Sequence, residues 1–115
     1  MHEIGIMESA MTLVLQHATE NRARKVNRVV LRIGTLAGVE VESLRFAFDV
    51  VSRGTLAEGA DFEIEIVPAS IFCQGCNDEF TQDTAGYIFI CPTCGDLCGE
   101  IRRGRELELS RIEMN

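Results

Sequence analysis

The sequence predicts an α+β fold: a small antiparallel or mixed three-stranded sheet with two helices, interrupted by an inserted cysteine-rich lobe. Three observations predict it. Apolar residues recur at helical spacing in residues 4–19 and 40–53, and they alternate with polar ones in residues 28–33, 62–66 and 106–109. Two CxxC pairs, Cys73/Cys76 and Cys91/Cys94, fall between the second and third alternating runs.

The first helix is expected over residues 4–19, with Ile4, Met7, Met11, Val14 or Leu15, and Ala18 on its buried stripe. Asn21, Arg22, Arg24 and Lys25 follow, and cations suit the negative end of a helix dipole. A strand over residues 28–33 places Val29, Leu31 and Ile33 on one face and Arg28, Val30 and Arg32 on the other. Gly34 ends it, and a loop through Gly38 leads to the second helix over residues 40–53. Leu44, Ala47, Phe48 and Val51 form its stripe, and Gly54 suits a C-terminal cap. After a turn at residues 55–59, Phe62, Ile64 and Ile66 alternate with Glu63 and Glu65 in a second strand.

Pro68 marks a boundary. Residues 71–98 form the expected lobe, with Phe72, Phe80 and residues 87–90 packed around the cysteines. Alternation resumes at residues 106–109 and then fails, because Ile112 and Met114 are out of phase with Leu109. A bulge near Ser110 would absorb the shift. So short a strand is unstable alone and is expected beside one of the first two. The domain reading is therefore residues 1–70 completed by 99–115, with 71–98 inserted.

Two CxxC knuckles bring four soft sulfurs to the corners of a tetrahedron, the arrangement that suits Zn²⁺. Cys73, Cys76, Cys91 and Cys94 are accordingly read as a structural zinc site, and the lobe as zinc-ribbon-like. A segment this short buries too little apolar surface to fold unaided, and metal binding supplies the difference. Four protein ligands leave no open position for hydrolytic chemistry. A rubredoxin-like iron centre is the alternative, suggested by the stretch YIFICPTCG. Cys98 stands outside the pattern and is read as a packed or semi-exposed thiol.

The chain holds 11 basic and 18 acidic residues, a formal charge of −7. Four thiolates and one Zn²⁺ make it more negative still. That balance excludes the counterion-displacing surface of a nucleic-acid binder and favours basic protein surfaces or cations. No Lys or Arg precedes Arg22, so the positive region of a signal peptide is missing. No apolar run approaches the ~18 residues of a membrane span. Five cysteines, four in metal spacing, suit a reducing compartment, so a cytoplasmic location without membrane attachment is expected. No nucleophile–base pair, phosphate-binding glycine loop or paired carboxylate site argues for an enzyme.

The chain opens Met1-His2-Glu3. A bulky second residue protects Met1 from removal. The α-amine, the deprotonated His2 amide and a His2 ring nitrogen then form adjoining chelate rings. The Glu3 amide nitrogen would be a fourth donor, with its carboxylate nearby. Square-planar nitrogen donors suit Ni²⁺ or Cu²⁺. The other reading is an exposed terminal histidine, with Glu3 favouring the positive end of the first helix. His17 is read as a solvated helix residue.

The opening MHE, IGIMESAM, VVLRIGTLAGVE, SLRFAFDVVSRGT with LAEGA, and the paired CQGC and CPTCG follow one another along the chain. With them the sequence resembles, from end to end, the HypA/HybF family of nickel metallochaperones for hydrogenase maturation. The resemblance implies nickel at Met1 through its amine, at His2 through backbone and ring nitrogens, and at Glu3 as neighbouring ligand or orienter. It implies zinc at Cys73, Cys76, Cys91 and Cys94. The implied role is delivery of Ni²⁺ to the [NiFe]-hydrogenase large subunit with a HypB-type GTPase as partner, and it leaves room for a homodimer. The alternative is a zinc-ribbon protein-interaction module without nickel transfer.

Overall fold

The computed structural model describes residues 3–82 and 86–115. Met1 and His2 therefore lie outside the described residues. The elements are α1 (Glu3–Glu20), β1 (Val26–Gly34), α2 (Val41–Val51), β2 (Asp61–Val67), β3 (Ala69–Cys73), β4 (Asp78–Gln82), β5 (Phe89–Ile90), β6 (Leu97–Cys98), β7 (Glu100–Arg103) and β8 (Leu107–Met114). They form sheets of order β2-β1-β8, β4-β3-β7 and β5-β6. The α+β class and the sheet of three distant strands are as the sequence predicts.

The chain divides into two compact units. The first holds residues 1–31, 38–65 and 108–115. In it, Met7, Met11, Val14 and Ala18 form the buried stripe of α1, one residue per turn. Ile4 departs from the expected stripe, being 42% exposed. The helix ends where the Asn21 backbone N–H and side-chain amide both donate to the His17 carbonyl, and Arg22 takes a positive φ of 54°. These bonds satisfy a carbonyl that helix termination would leave bare.

In α2, Leu44, Ala47 and Phe48 are buried, as the helical spacing predicts, and Val51 is half-buried. Phe48 stacks on Phe62 of β2 with ring centroids 4.6 Å apart. The helix stops earlier than expected. Its C-cap is Ser52, whose N–H donates to the Phe48 carbonyl, and Gly54 lies beyond it in a left-handed turn at φ 74°. Thr55 completes that turn by donating from both N–H and hydroxyl to the Ser52 carbonyl.

Strand β1 is central, and Val30 is buried as fully as Val29 and Leu31. The face that carries Arg28 and Arg32 therefore also holds a buried apolar residue. Arg28 lies 2.6 Å from Glu63, 3.6 Å from Asp61 and 3.7 Å from Glu113, so one guanidinium spans all three strands. Each such exposed pair contributes at most about 1 kcal/mol. Asn115 N–H donates to the Lys25 carbonyl and Gly34 N–H to that of Glu106, so β8 runs antiparallel to β1. Arg28 meets Asp61 and Glu63 near the start of β2, while Thr35 N–H donates to Val67 at its end, so β2 runs parallel to β1 and the sheet is mixed. Leu109, Ile112 and Met114 are the half-buried residues at the end of β8, so its inward phase changes across Ser110.

The second unit holds residues 32–37 and 66–107. Strand β3 pairs antiparallel with β4 on one side and β7 on the other. Its core is Leu36, Ala69, Ile71 and Phe89, with Phe80, Cys98 and Ile101 packed against it. Phe72 is half-buried beneath the Arg102 guanidinium, which lies 4.3 Å from the ring centroid. Of the residues expected to pack around the cysteines, Phe89 is buried, but Tyr87, Ile88 and Ile90 are exposed. Strand alternation explains Ile88 and Ile90, which share the face opposite Phe89, whereas Tyr87 precedes the strand. Ile66 is also exposed whereas Val67 is buried, so the apolar phase reverses at the end of β2.

At one crossing, backbones touch without side chains between them. A Cβ on Gly34 would lie 2.0 Å from the Gly104 carbonyl oxygen, and one on Gly104 would lie 2.8 Å from the Ala69 Cα. Only glycine fits at either place, and Gly104 also has a positive φ of 121°.

Candidate metal centre

The cysteines are presented by two hairpins of the second unit. Cys73 ends β3 and pairs with Asp78 of β4, so the turn between those strands carries Cys76. Cys91 follows β5 directly, and the segment leading to β6 carries Cys94. This second knuckle is closed by Cys91 N–H donating to the Asp96 carbonyl and Gly95 N–H donating to the Cys91 carbonyl, both at 2.9 Å. Gly95 turns the chain at φ 79°. At the first knuckle Gly75 lies against the Asp96 side chain: a Cβ there would lie 2.4 Å from a carboxylate oxygen of Asp96, which would have to swing aside. Asp96 thus packs its side chain on one knuckle while its backbone carbonyl closes the other.

The four sulfurs all lie within 4.8 Å of one another. Cys73 and Cys94 Sγ are 3.6 Å apart, and Cys76 and Cys91 Sγ 3.8 Å. A tetrahedral Zn²⁺ with sulfur at about 2.3 Å requires sulfur–sulfur edges of about 3.8 Å. The donor set therefore fits such an ion in number, element and spacing. Tetrahedral sulfur suits Zn²⁺ or iron and disfavours Mg²⁺ or Ca²⁺. Cys73 and Cys91 are buried, Cys76 is half-buried and Cys94 exposed.

The electrostatics also favour thiolate at one corner. The Cys91 thiol is pulled from an ordinary 9.0 down to about 6, first by the backbone N–H of Cys94 and then by that of Thr93. The Cys76 thiol is pushed up to about 12, chiefly by hydrogen bonding to Cys94 and then Cys91. A bound cation would stabilise the thiolates together and release the protons they share.

Cys98 sits outside this cluster. It faces the lobe core, its Sγ is 3.5 Å from the Asp96 carbonyl, and burial followed by bonding to Cys73 pushes its thiol up to about 11.

At the other end of the chain, Glu3 is the first residue of α1 and its carboxylate accepts from the Glu40 N–H at 3.2 Å. Glu40 is the N-cap of α2, and its own carboxylate accepts from the Glu42 N–H at 3.0 Å. Glu3 therefore ties the start of α1 to the start of α2, a link that sequence spacing does not reveal. His17 lies fourteen residues along the same helix, about 21 Å away at 1.5 Å per residue, so it cannot share an ion with Glu3. Among the described residues, no helix is long and apolar enough to cross a membrane.

The sequence model of one family, described as hydrogenase/urease nickel incorporation, metallochaperone, HypA, matches residues 1–114. The hydrogenase maturation factor HypA of Chloroflexus aurantiacus is 43% identical over 113 residues, covering 98% of each chain. That of Psychromonas ingrahamii is 40% identical over 114 residues, covering 99% of this chain and 98% of its own. Among solved structures, that of the Ni metallochaperone HypA from Helicobacter pylori matches with a TM-score of 0.67 at 26% identity, over 99% of this chain and 97% of its own. A second HypA solution structure matches with a TM-score of 0.65 at 28% identity, over 99% and 96%.

Proposed function

This chain belongs to the HypA family of hydrogenase-maturation nickel metallochaperones, and from that premise we propose that it carries Ni²⁺ at its N-terminus and hands it to the [NiFe]-hydrogenase large subunit. The nickel donors are the Met1 amine and the His2 amide and ring nitrogens, with Glu3 as ligand or orienter. The observation that carries this reading is the opening Met-His-Glu in a chain matched end to end by the family. The partner in delivery is a HypB-type GTPase, and the setting is the cytoplasm.

Zn²⁺ is held by Cys73, Cys76, Cys91 and Cys94, where it cross-links the two knuckles as a closed structural site. Residues 71–98 are the zinc-binding lobe, and residues 1–70 completed by 99–115 are the nickel-binding part. A terminal site suits a carrier: the nitrogens lie on a short chain end, and an acceptor can replace them one at a time. Glu3, bonded to the Glu40 N–H, holds the start of that chain end against α2.

Metal analysis of the untagged chain after nickel loading tests the proposal. One zinc and one nickel per chain are expected. Zinc alone would favour the second reading, a zinc-ribbon interaction module without nickel transfer. The exposed Ile88, Ile90 and Leu97 on the β5–β6 hairpin are the observation that favours that reading.

A further inference from the structure

The β5–β6 hairpin has two unlike faces. Phe89 and Cys98 pair across it and belong to the core of the second unit. Ile90 and Leu97 pair on the opposite face, where they are 58% and 76% exposed. Ile88, two residues before Ile90, joins that face and is 73% exposed. Leu97 and Ile88 are the most exposed large apolar side chains among the described residues. A two-stranded sheet is marginal alone and gains from packing, and here only the inner face is packed. The outer face also lacks charge. Between Gly86 and Gly99 the sequence has one acidic or basic side chain, Asp96. Its carboxylate lies against Gly75 of the first knuckle.

We infer that this face is a self-association surface, on which the hairpin of a second copy of the chain packs face to face. Two such hairpins make a small sandwich, with Ile88, Ile90 and Leu97 of each copy between the layers. A twofold contact sets a patch against itself, so the patch must be self-complementary. An uncharged apolar face meets that condition, whereas acidic surface on a chain of formal charge −7 repels its own copy. Charge also disfavours other occupants. A partner steered by charge complementarity finds no charge here to meet, and an anionic membrane repels so acidic a chain. Three side chains per copy make an interface at the small end of the range, so the pair is weak, with a dissociation constant on the order of 100 μM. The inference does not depend on the nickel role.

Sedimentation equilibrium of the untagged, zinc-loaded chain from about 10 μM to about 1 mM tests the surface. The unaltered chain should pass from monomer to dimer, and more readily at high salt, which screens repulsion between the acidic copies. Leu97→Glu sets like charges together and should weaken association at least about tenfold, with zinc content and melting temperature unchanged. Phe46→Asp, at an exposed aromatic on α2 in the other unit, should associate as the unaltered chain does. If Leu97→Glu fails to fold, the unaltered chain still decides: its amide NMR signals for Ile88, Ile90 and Leu97 should shift as concentration rises. A chain that stays monomeric throughout overturns the inference, as does a dimer that Leu97→Glu leaves intact, or shifts confined to other residues. A monomeric chain whose binding to a HypB-type GTPase is lost in Leu97→Glu would make the face a partner's seat and overturn it too.

Discussion

Gly34→Ala should be among the most damaging single-methyl changes in the molecule. The added Cβ would lie 2.0 Å from the Gly104 carbonyl oxygen, 2.1 Å from its carbon and 2.6 Å from the Arg105 nitrogen. Van der Waals separation is about 3.5 Å, so the two backbones must part by more than about 1 Å. All three obstructing atoms are backbone, so no rotamer change relieves the clash. The hydrogen bonds that flank the crossing are Gly34 N–H to Glu106 at 2.8 Å and Leu36 N–H to Gly104 at 2.7 Å, and parting the strands breaks both. Two lost bonds at about 1 kcal/mol each, plus about 1–3 kcal/mol of overpacking strain, total roughly 3–5 kcal/mol. That is a large share of the 5–15 kcal/mol that typically holds a domain together. Gly5→Ala is the matched control, because nothing lies within 4 Å of its would-be Cβ and the residue sits in α1. Relieving a helical glycine should stabilise by about 0.5–1 kcal/mol. Urea denaturation of the zinc-loaded proteins reads both. A Gly34→Ala variant within 1 kcal/mol of the parent would refute the close crossing.

Nickel affinity should fall about four orders of magnitude from pH 8 to pH 6: about two because the α-amine (reference pKa about 7.7–8.0) and imidazole (about 6.5) must lose protons, and about two more because binding also displaces the His2 amide proton. Calorimetry across that range checks this, and flat affinity would exclude the amine as a ligand. Acetylating the Met1 amine should abolish tight nickel binding, because it removes the terminal donor of the chelate rings; an acetylated chain with unaltered affinity would contradict the ligand set. Cys91→Ala should lose zinc and lower the melting temperature, since it removes the corner whose thiolate the knuckle amides favour. Retained stoichiometric zinc in that variant would contradict a four-sulfur structural site.

Much of the fold is legible because its signals are local. The stripe of Met7, Met11, Val14 and Ala18 announces α1, and the cysteine spacing announces two knuckles whose sulfurs converge. What stays hidden depends on neighbours distant in sequence. Strand β3 is buried at four of its five residues, so it shows no period of two. Val30 breaks the period in β1 in the same way. The run at residues 87–90 is apolar throughout, and only the pairing of Ile90 with Leu97 and Phe89 with Cys98 decides which face turns inward. The Gly34–Gly104 crossing joins residues seventy apart, and the tie from Glu3 to Glu40 joins two helix starts. Of the nickel motif, Met1 and His2 lie outside the described residues, so sequence and kinship carry that part alone.

The carried ion is proposed to sit at the chain terminus, apart from the structural one held by the cysteines. Nickel titration of the zinc-loaded, native N-terminus beside His2→Ala tests it most directly. One tight nickel site is expected in the parent and none in His2→Ala, with zinc content and melting temperature equal in the two. Undiminished nickel binding by His2→Ala, or displacement of zinc from the cysteines as nickel binds, would contradict it.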